Sequence, residues 1–195
     1  ILAGPGSGKT RVITHRVAYL IRVVKINPRH ITAVTFTNKA AREMLSRVGK
    51  LLDSQQRRGL RVSTFHALGL EIVRKEHLIL EYKTGLTLYD EEDKLKLLKN
   101  LIAHSKSDYD PDKVEKYAWQ IGQWKNAFVT PKQAEATDSA DQQALGQLYA
   151  DYNRSLKAYN AADFDDLILL PVLLFQQHPD VLEKWQNKIR YLLVD

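Results

Sequence analysis

Ala3-Gly4-Pro5-Gly6-Ser7-Gly8-Lys9-Thr10 combines backbone freedom, a cation and a hydroxyl in an order that suits a nucleoside triphosphate. Three glycines let the main chain turn tightly and aim several N–H groups at one anion, and a helix starting near Gly8 adds its positive end. Lys9 would reach the outer phosphates, and the Thr10 hydroxyl would serve Mg²⁺. Ala3 stands where the usual pattern has glycine, but it lies where a strand enters the loop and needs only to be small. Asp195 closes the apolar run Tyr191 to Val194, the position at which a triphosphate enzyme places a metal-holding carboxylate. Taken alone, an Asp ending a strand is a turn residue. The motif does not choose the reaction.

The elements that must position these groups follow from the hydrophobic pattern. A helix is predicted from about Gly8 to Val24, with Ile13, Val17, Leu20, Ile21 and Val24 on its core face. Ile31 to Phe36 is a β-branched strand, and Thr37-Asn38 offer oxygens to cap the next helix. That helix carries the stripe Ala41, Met44, Leu45, Val48, Leu51 and Leu52. Arg61 to Thr64 is a short strand that opens at Phe65-His66 into a helix from roughly Leu68 to Lys75. This rhythm is that of a parallel sheet wrapped by helices, in which ligands collect at the carboxyl ends of strands. The Gly4 to Thr10 loop, Thr35 to Lys39, Thr64 to His66 and Asp195 all fall at such ends.

More than a hundred residues with almost no strand signal separate His66 from the last strand. Asp90 with Asp93 caps a helix bearing Leu95, Leu98, Leu101 and Ile102. Val114, Tyr117, Ala118, Ile121, Trp124 and Phe128 form a second stripe, and Leu145, Leu148, Tyr152, Leu156 and Tyr159 a third. Asp163 to Gln177 reads as a fourth helix, kinked at Pro171. Thr137 to Gln143 is polar and reads as a loop. The expected fold is therefore α/β, a parallel-sheet core incomplete at both ends (1–70 and 178–195) with an inserted all-helical subdomain (71–177).

The chain has 195 residues, a formal charge of +6 and no cysteine, which excludes a disulfide framework and a thiolate metal site. A reducing, cytoplasmic setting suits that composition, and no apolar run is long enough to span a bilayer. The basic charge favours a polyanionic partner such as nucleic acid, though an ordinary basic enzyme fits it equally well. Both ends look cut, so the chain reads as a piece of a longer protein. Thr35, Phe36, Thr37, Asn38 and Lys39 could hold phosphates and a base of a single strand; the plainer reading is a capped turn with Phe36 in the core. His66 reads as a packed or capping residue rather than a ligand, because no second histidine or carboxylate at ligand spacing turns it into a metal site. Trp119, Trp124 and Trp185 are expected to pack helices.

Taken together, AGPGSGKTRV (3–12), AVTFTNKAAREM (33–44), STFHALGLEIV (63–73), WKN (124–126), DFDDLILLP (163–171) and WQNKIRYLLVD (185–195) resemble superfamily one DNA helicases of the UvrD, PcrA and Rep type, the Rep branch in particular. The resemblance spans the whole chain and implies a RecA-like P-loop core that uses ATP. Residues 3–11 would cradle the nucleotide, with Lys9 on its phosphates and Arg11 beside it, and Thr10 and Asp195 would serve Mg²⁺. It also implies single-stranded DNA along Thr35 to Lys39 and at Thr64 and His66. It assigns no clear role to the Asp163 to Leu167 motif, and Asp163 and Asp166 are read as structural first. Such proteins move 3′ to 5′ and open duplex junctions in replication or repair, as monomers or dimers and with protein partners the sequence does not name. The glutamate expected after Asp195, the adenine-reading motif and the second motor domain with its arginines are not in these residues, so the 195 residues alone are expected to be inactive. A small-molecule P-loop kinase, a nucleotide-gated DNA-binding module and a nuclease-fused relative stay open as alternatives.

Overall fold

The computed structural model describes residues 8–105, 109–136 and 139–195. In chain order the elements begin with α1 (Lys9–Arg22), β1 (Ile31–Thr35), α2 (Asn38–Leu51), β2 (Arg61–Thr64) and α3 (Phe65–Lys75). Next come β3 (Thr87–Tyr89), α4 (Glu91–His104), α5 (Val114–Asn126), α6 (Pro131–Glu135) and α7 (Ala140–Ala158). β4 (Ala161–Asp163), α8 (Asp166–Gln177), α9 (Pro179–Lys188) and β5 (Tyr191–Val194) complete the order. The chain divides into two compact units, Ile1–Leu68 with Leu174–Asp195, and Gly69–Leu173.

The first unit holds a parallel sheet in the order β2-β1-β5. Its central strand, ITAVT, is buried along its whole length, as expected of a β-branched strand covered on both faces. β5 alternates: Tyr191 and Leu193 pack on the cluster of Val17, Leu20, Ile31, Val48 and Leu52, while Leu192 and Val194 face out. α2 starts where Thr37 accepts the Ala40 N–H at 3.1 Å, so the capping oxygen read from the sequence is in use. α1 is shorter than expected. It ends at Arg22, Lys25 turns through a positive φ of 63°, and Val24 is exposed rather than in the core. α3 begins at Phe65, three residues early, because the Thr64 hydroxyl caps the Ala67 N–H at 3.1 Å.

The second unit packs α4, α5 and α7 around Leu98, Ile121, Leu148, Tyr149 and Tyr152. The Asp90–Asp93 capping box opens α4 as expected. This unit is not all-helical, however: β3 and β4 pair in parallel, Thr87 to Ala161 through Tyr89 to Asp163. Three-residue strands are too short to show a period of two, so the sequence pattern missed them. β4 and a turn also replace the start of the expected helix at Asp163. Phe128 lies beyond α5 with a φ of 57° and, like Tyr159, faces solvent. Of the expected loop Thr137 to Gln143, residues 137 and 138 lie outside the described residues, while Ala140 to Gln143 form the start of α7.

Gly69 marks the closest approach of two helices in this unit, because a Cβ there would overlap the Leu167 carbonyl oxygen and lie 2.9 Å from its carbon. Helix propensity favours Ala over Gly by about 1 kcal/mol. The close approach reverses the sign, and Gly69→Ala is expected to destabilise the unit by roughly 1–3 kcal/mol. A lowered denaturant midpoint at unchanged m-value is the result to look for; a raised midpoint would mean that α3 and α8 are not in backbone contact.

Candidate nucleotide and nucleic-acid site

At the carboxyl ends of the first unit's strands, α1 and β5 bring two distant residues together. Gly8 takes a φ of 86°, a left-handed conformation that admits glycine readily, and α1 starts at the next residue. The first N–H groups of this 14-residue helix lack carbonyl partners within the helix and point along its axis toward its N-terminal end, the end that favours an anion. Thr10, in that first turn, donates its hydroxyl to both carboxylate oxygens of Asp195, at 3.0 and 2.7 Å. Asp195 is fixed in turn by its N–H, which donates to the Val34 carbonyl at 3.0 Å. A hydroxyl and a carboxylate separated by 185 positions thus form one pair of hard oxygen donors, the kind Mg²⁺ takes. Lys9 and Arg11 are exposed beside them. Ala3, Gly4, Pro5, Gly6 and Ser7 lie outside the described residues.

The other expected contacts divide. Phe36 is 79% exposed, so the plainer reading, a core phenylalanine, fails. Asn38 and Lys39 are exposed next to it and His66 is half-buried. Thr35, Thr37 and Thr64 use their hydroxyls locally: Thr35 donates to the Thr37 carbonyl at 2.9 Å, and Thr37 and Thr64 cap helices. Thr35 and Thr64 are also buried, so these two shape the turns that display Phe36 and His66 rather than offering hydroxyls outward. An open groove of about 410 Å³ runs between α2 and β2, lined by Asn38, Arg42, Leu45, Ser63, Thr64 and Ala67. Arg42 and Leu45 join the site only through this geometry. Leu45, on the expected core stripe, is 39% exposed in this groove.

Charge is divided as unevenly as the chemistry. The first unit carries sixteen Lys and Arg against five Asp and Glu, and the second thirteen against eighteen. The basic surplus of the chain therefore belongs wholly to the unit holding the candidate site, where a polyanion would be met.

The second unit's polar residues turn inward instead. Lys125, fully buried, donates to Asp163 and Asp166 at 2.8 Å each. Tyr152 adds a hydroxyl to Asp163 at 2.9 Å, and the N–H groups of Asp163 and Asp166 each bond the other's carboxylate. Asp165 takes the Asn126 amide at 3.1 Å and lies 3.4 Å from the Lys94 ammonium. Burial opposes the Lys125 charge, but Asp166 and Asp163 outweigh it and hold its pKa above the usual lysine range. Burial likewise opposes the Asp163 charge, and Lys125 overcomes it, holding the carboxyl below its usual range. Asp166 shares that one cation with Asp163, and burial pushes it up to about 6. Burial, reinforced by Asp163, keeps the Tyr152 hydroxyl protonated as a donor. The carboxylates singled out in DFDD are thus spent on structure, and the turn leaves only Phe164, 50% exposed, facing outward. Trp185 is buried and Trp124 stacks on Tyr149 at 5.9 Å, but Trp119 is 62% exposed and does not pack helices. Among the described residues no group of three or more His, Cys, Asp or Glu could hold a metal, and no helix is long and apolar enough to cross a membrane.

A mixed α/β chain with parallel strands and these strand-end residues matches one known family along its whole length. Residues 1–195 match the UvrD/REP helicase N-terminal domain, and the chain belongs to that family. In particular, it is 50% identical to the ATP-dependent DNA helicase Rep of Escherichia coli K12 over 198 residues, covering 100% of this chain and 29% of that protein. The Rep protein of Salmonella typhimurium gives the same identity and coverage. The ATP-dependent DNA helicase PcrA of Leuconostoc citreum is 41% identical over 199 residues, covering 26% of its length. The chain thus spans less than a third of the length of these relatives.

Proposed function

We propose that this chain is the N-terminal motor portion of an ATP-dependent 3′–5′ DNA helicase that acts in replication or repair. The observation that carries the reading is the meeting of Thr10 and Asp195 beside Lys9 at the start of α1. In this reading residues 1–70 and 178–195 form a RecA-like P-loop core and residues 71–177 an inserted subdomain. The loop from Ala3 to Gly8 cradles the triphosphate of ATP, Lys9 places a cation on its outer phosphates and Arg11 lies beside it. Thr10 and Asp195 hold Mg²⁺, which when bound neutralises phosphate charge. At the neighbouring strand ends Phe36 stacks on a base of single-stranded DNA, with Asn38, Lys39 and His66 around it and the Thr35, Thr37 and Thr64 turns fixing its direction. The isolated 195 residues do not turn over ATP at a useful rate, because activity belongs to the whole protein.

The test is ATP hydrolysis by the full-length protein with and without single-stranded DNA, beside Lys9→Ala and Phe36→Ala. Hydrolysis stimulated by the strand and abolished by Lys9→Ala is expected. Phe36→Ala, at an exposed position with little to lose in stability, is expected to weaken strand binding by about 1–3 kcal/mol while leaving basal hydrolysis intact. Hydrolysis indifferent to DNA would overturn the reading and favour a small-molecule kinase.

A further inference from the structure

The opposite end of the same three strands carries cations that the proposed motor does not use. β1, β2 and β5 begin side by side, with Ile31 opposite Tyr191 and Thr32 opposite Arg61. Arg29 and His30 lead into β1, Arg57 and Arg58 lead to Arg61 at the head of β2, and Lys188 and Arg190 lead into β5. Arg22 ends α1 at this edge, and Lys25 follows. The segments are tied together: the Arg190 N–H donates to the His30 carbonyl at 3.0 Å, and Arg22 donates to the Gln56 side chain at 3.3 Å. Gly59 takes a φ of 97°, and a Cβ there would lie 2.5 Å from Arg29 Cγ, so the loop is shaped to let Arg29 lie against it.

Little offsets this charge. Asp53 is the one acidic residue between 53 and 61, and its carboxylate accepts the Gln56 N–H at 2.7 Å. Asp180 and Glu183 sit earlier on α9. Among the described residues, Arg22, Lys25, Arg29, Arg57, Arg58 and Arg190 make no ion pair. Arg22, Lys25, Arg29, Arg58 and Arg190 are exposed, and the buried Arg57 Nε has no hydrogen-bond partner. Like charges crowded without counter-ions repel, and a polyanion relieves the repulsion. Arginine outnumbers lysine here, and its planar fork matches phosphate oxygens. Of the nearby aromatics, Tyr191 is half-buried, Trp185 is buried and Tyr19, 47% exposed, has the Arg16 guanidinium over its ring at 5.5 Å, so this edge offers little aromatic surface for base stacking and is dominated by cations. Contact is to backbone alone, which a duplex presents outward along its whole length.

We propose that this edge docks the phosphate backbone of duplex DNA, about 15 Å along the strands from the single-strand and nucleotide contacts at their carboxyl ends. The choice of DNA over an acidic protein rests on the helicase reading. The test compares the full-length protein with its Arg29→Gln/Arg58→Gln/Arg190→Gln variant. A control variant, Lys99→Gln/Lys116→Gln/Lys132→Gln, changes net charge equally on the second unit. The probe is a blunt duplex of about two helical turns, titrated by fluorescence anisotropy across a salt series. The arginine variant is expected to bind it at least about tenfold more weakly, with the slope of log K against log salt reduced by about 2.7. Its melting temperature and single-strand-stimulated hydrolysis stay at the parental values, and Arg→Lys at the same three positions restores most of the slope. Parental duplex affinity and slope in the arginine variant, or an equal loss in the control, overturns the proposal. So does retention of an acidic protein by this edge with duplex binding untouched. If the parent neither hydrolyses ATP nor binds single strands, the helicase reading fails, and the duplex titration still decides the edge.

Discussion

On the proposed helicase reading, Asp195→Asn is expected to lower DNA-stimulated ATP turnover of the full-length protein by about 100- to 1,000-fold, the scale on which one preorganised charge at a reacting phosphate matters. The substitution nearly preserves shape. The carboxamide oxygen it introduces can still accept from Thr10, and the backbone N–H that bonds the Val34 carbonyl at 3.0 Å is untouched, so α1 and β5 remain in place. What is removed is the negative charge that would hold the metal. Thr10→Ala is expected to cost less, because a hydroxyl contributes a lone pair rather than a charge, and Thr10→Ser to restore most of the loss. If Thr10 and Asp195 hold one ion between them, as proposed, their losses should not add: the double variant should be little worse than Asp195→Asn alone. Near-parental turnover in Asp195→Asn would mean that the 2.7 Å hydrogen bond is structural and the metal is held elsewhere.

The features legible in the sequence are those set by local chemistry or a long periodic pattern. The caps at Thr37 and Asp90, the buried strand 31–35 and the stripe of α2 each announce themselves within a few residues, because the forces that form them act over that range. Asp195 can be linked to Thr10 only by assuming a parallel sheet, since nothing local ties two residues 185 positions apart. Phe36 is ambiguous in the sequence because exposure of a strand-end aromatic depends on which way the following turn leaves, and the buried Thr35 hydroxyl settles that by bonding Thr37. β3 and β4 are invisible because three residues carry no period. Lys125 does leave a signal: it falls on the buried line of Val114, Ala118 and Ile121, where an unpaired lysine is not tolerated. A lysine on that line requires carboxylates to meet it, and DFDD is the acidic cluster that the fold places there. Reading WKN and DFDD as partners needs the contact between α5 and the β4–α8 turn, which the sequence does not contain.

Lys125→Met is expected to destabilise the second unit by about 3–5 kcal/mol, because it leaves Asp163 and Asp166 buried without their shared cation. The loss measures an uncompensated charge rather than the worth of the pair. Replacing all three residues by apolar ones of similar volume is therefore expected to recover much of the stability. The pH dependence separates the two carboxylates. Asp166, raised to about 6, contributes stability that is fully present below its unfolded pKa of about 3.9 and lost as pH rises through 6. Asp163, held below its usual range, contributes stability present above the unfolded value and lost as pH falls through its folded pKa. Unfolding free energy is accordingly expected to rise on acidification from neutral pH toward 4 and to fall below it. Asp166→Asn should flatten the upper limb and leave the lower one. An unchanged upper limb in Asp166→Asn, followed by equilibrium denaturation across that range, would show that Asp166 is ionised throughout and that Lys125 compensates both carboxylates fully.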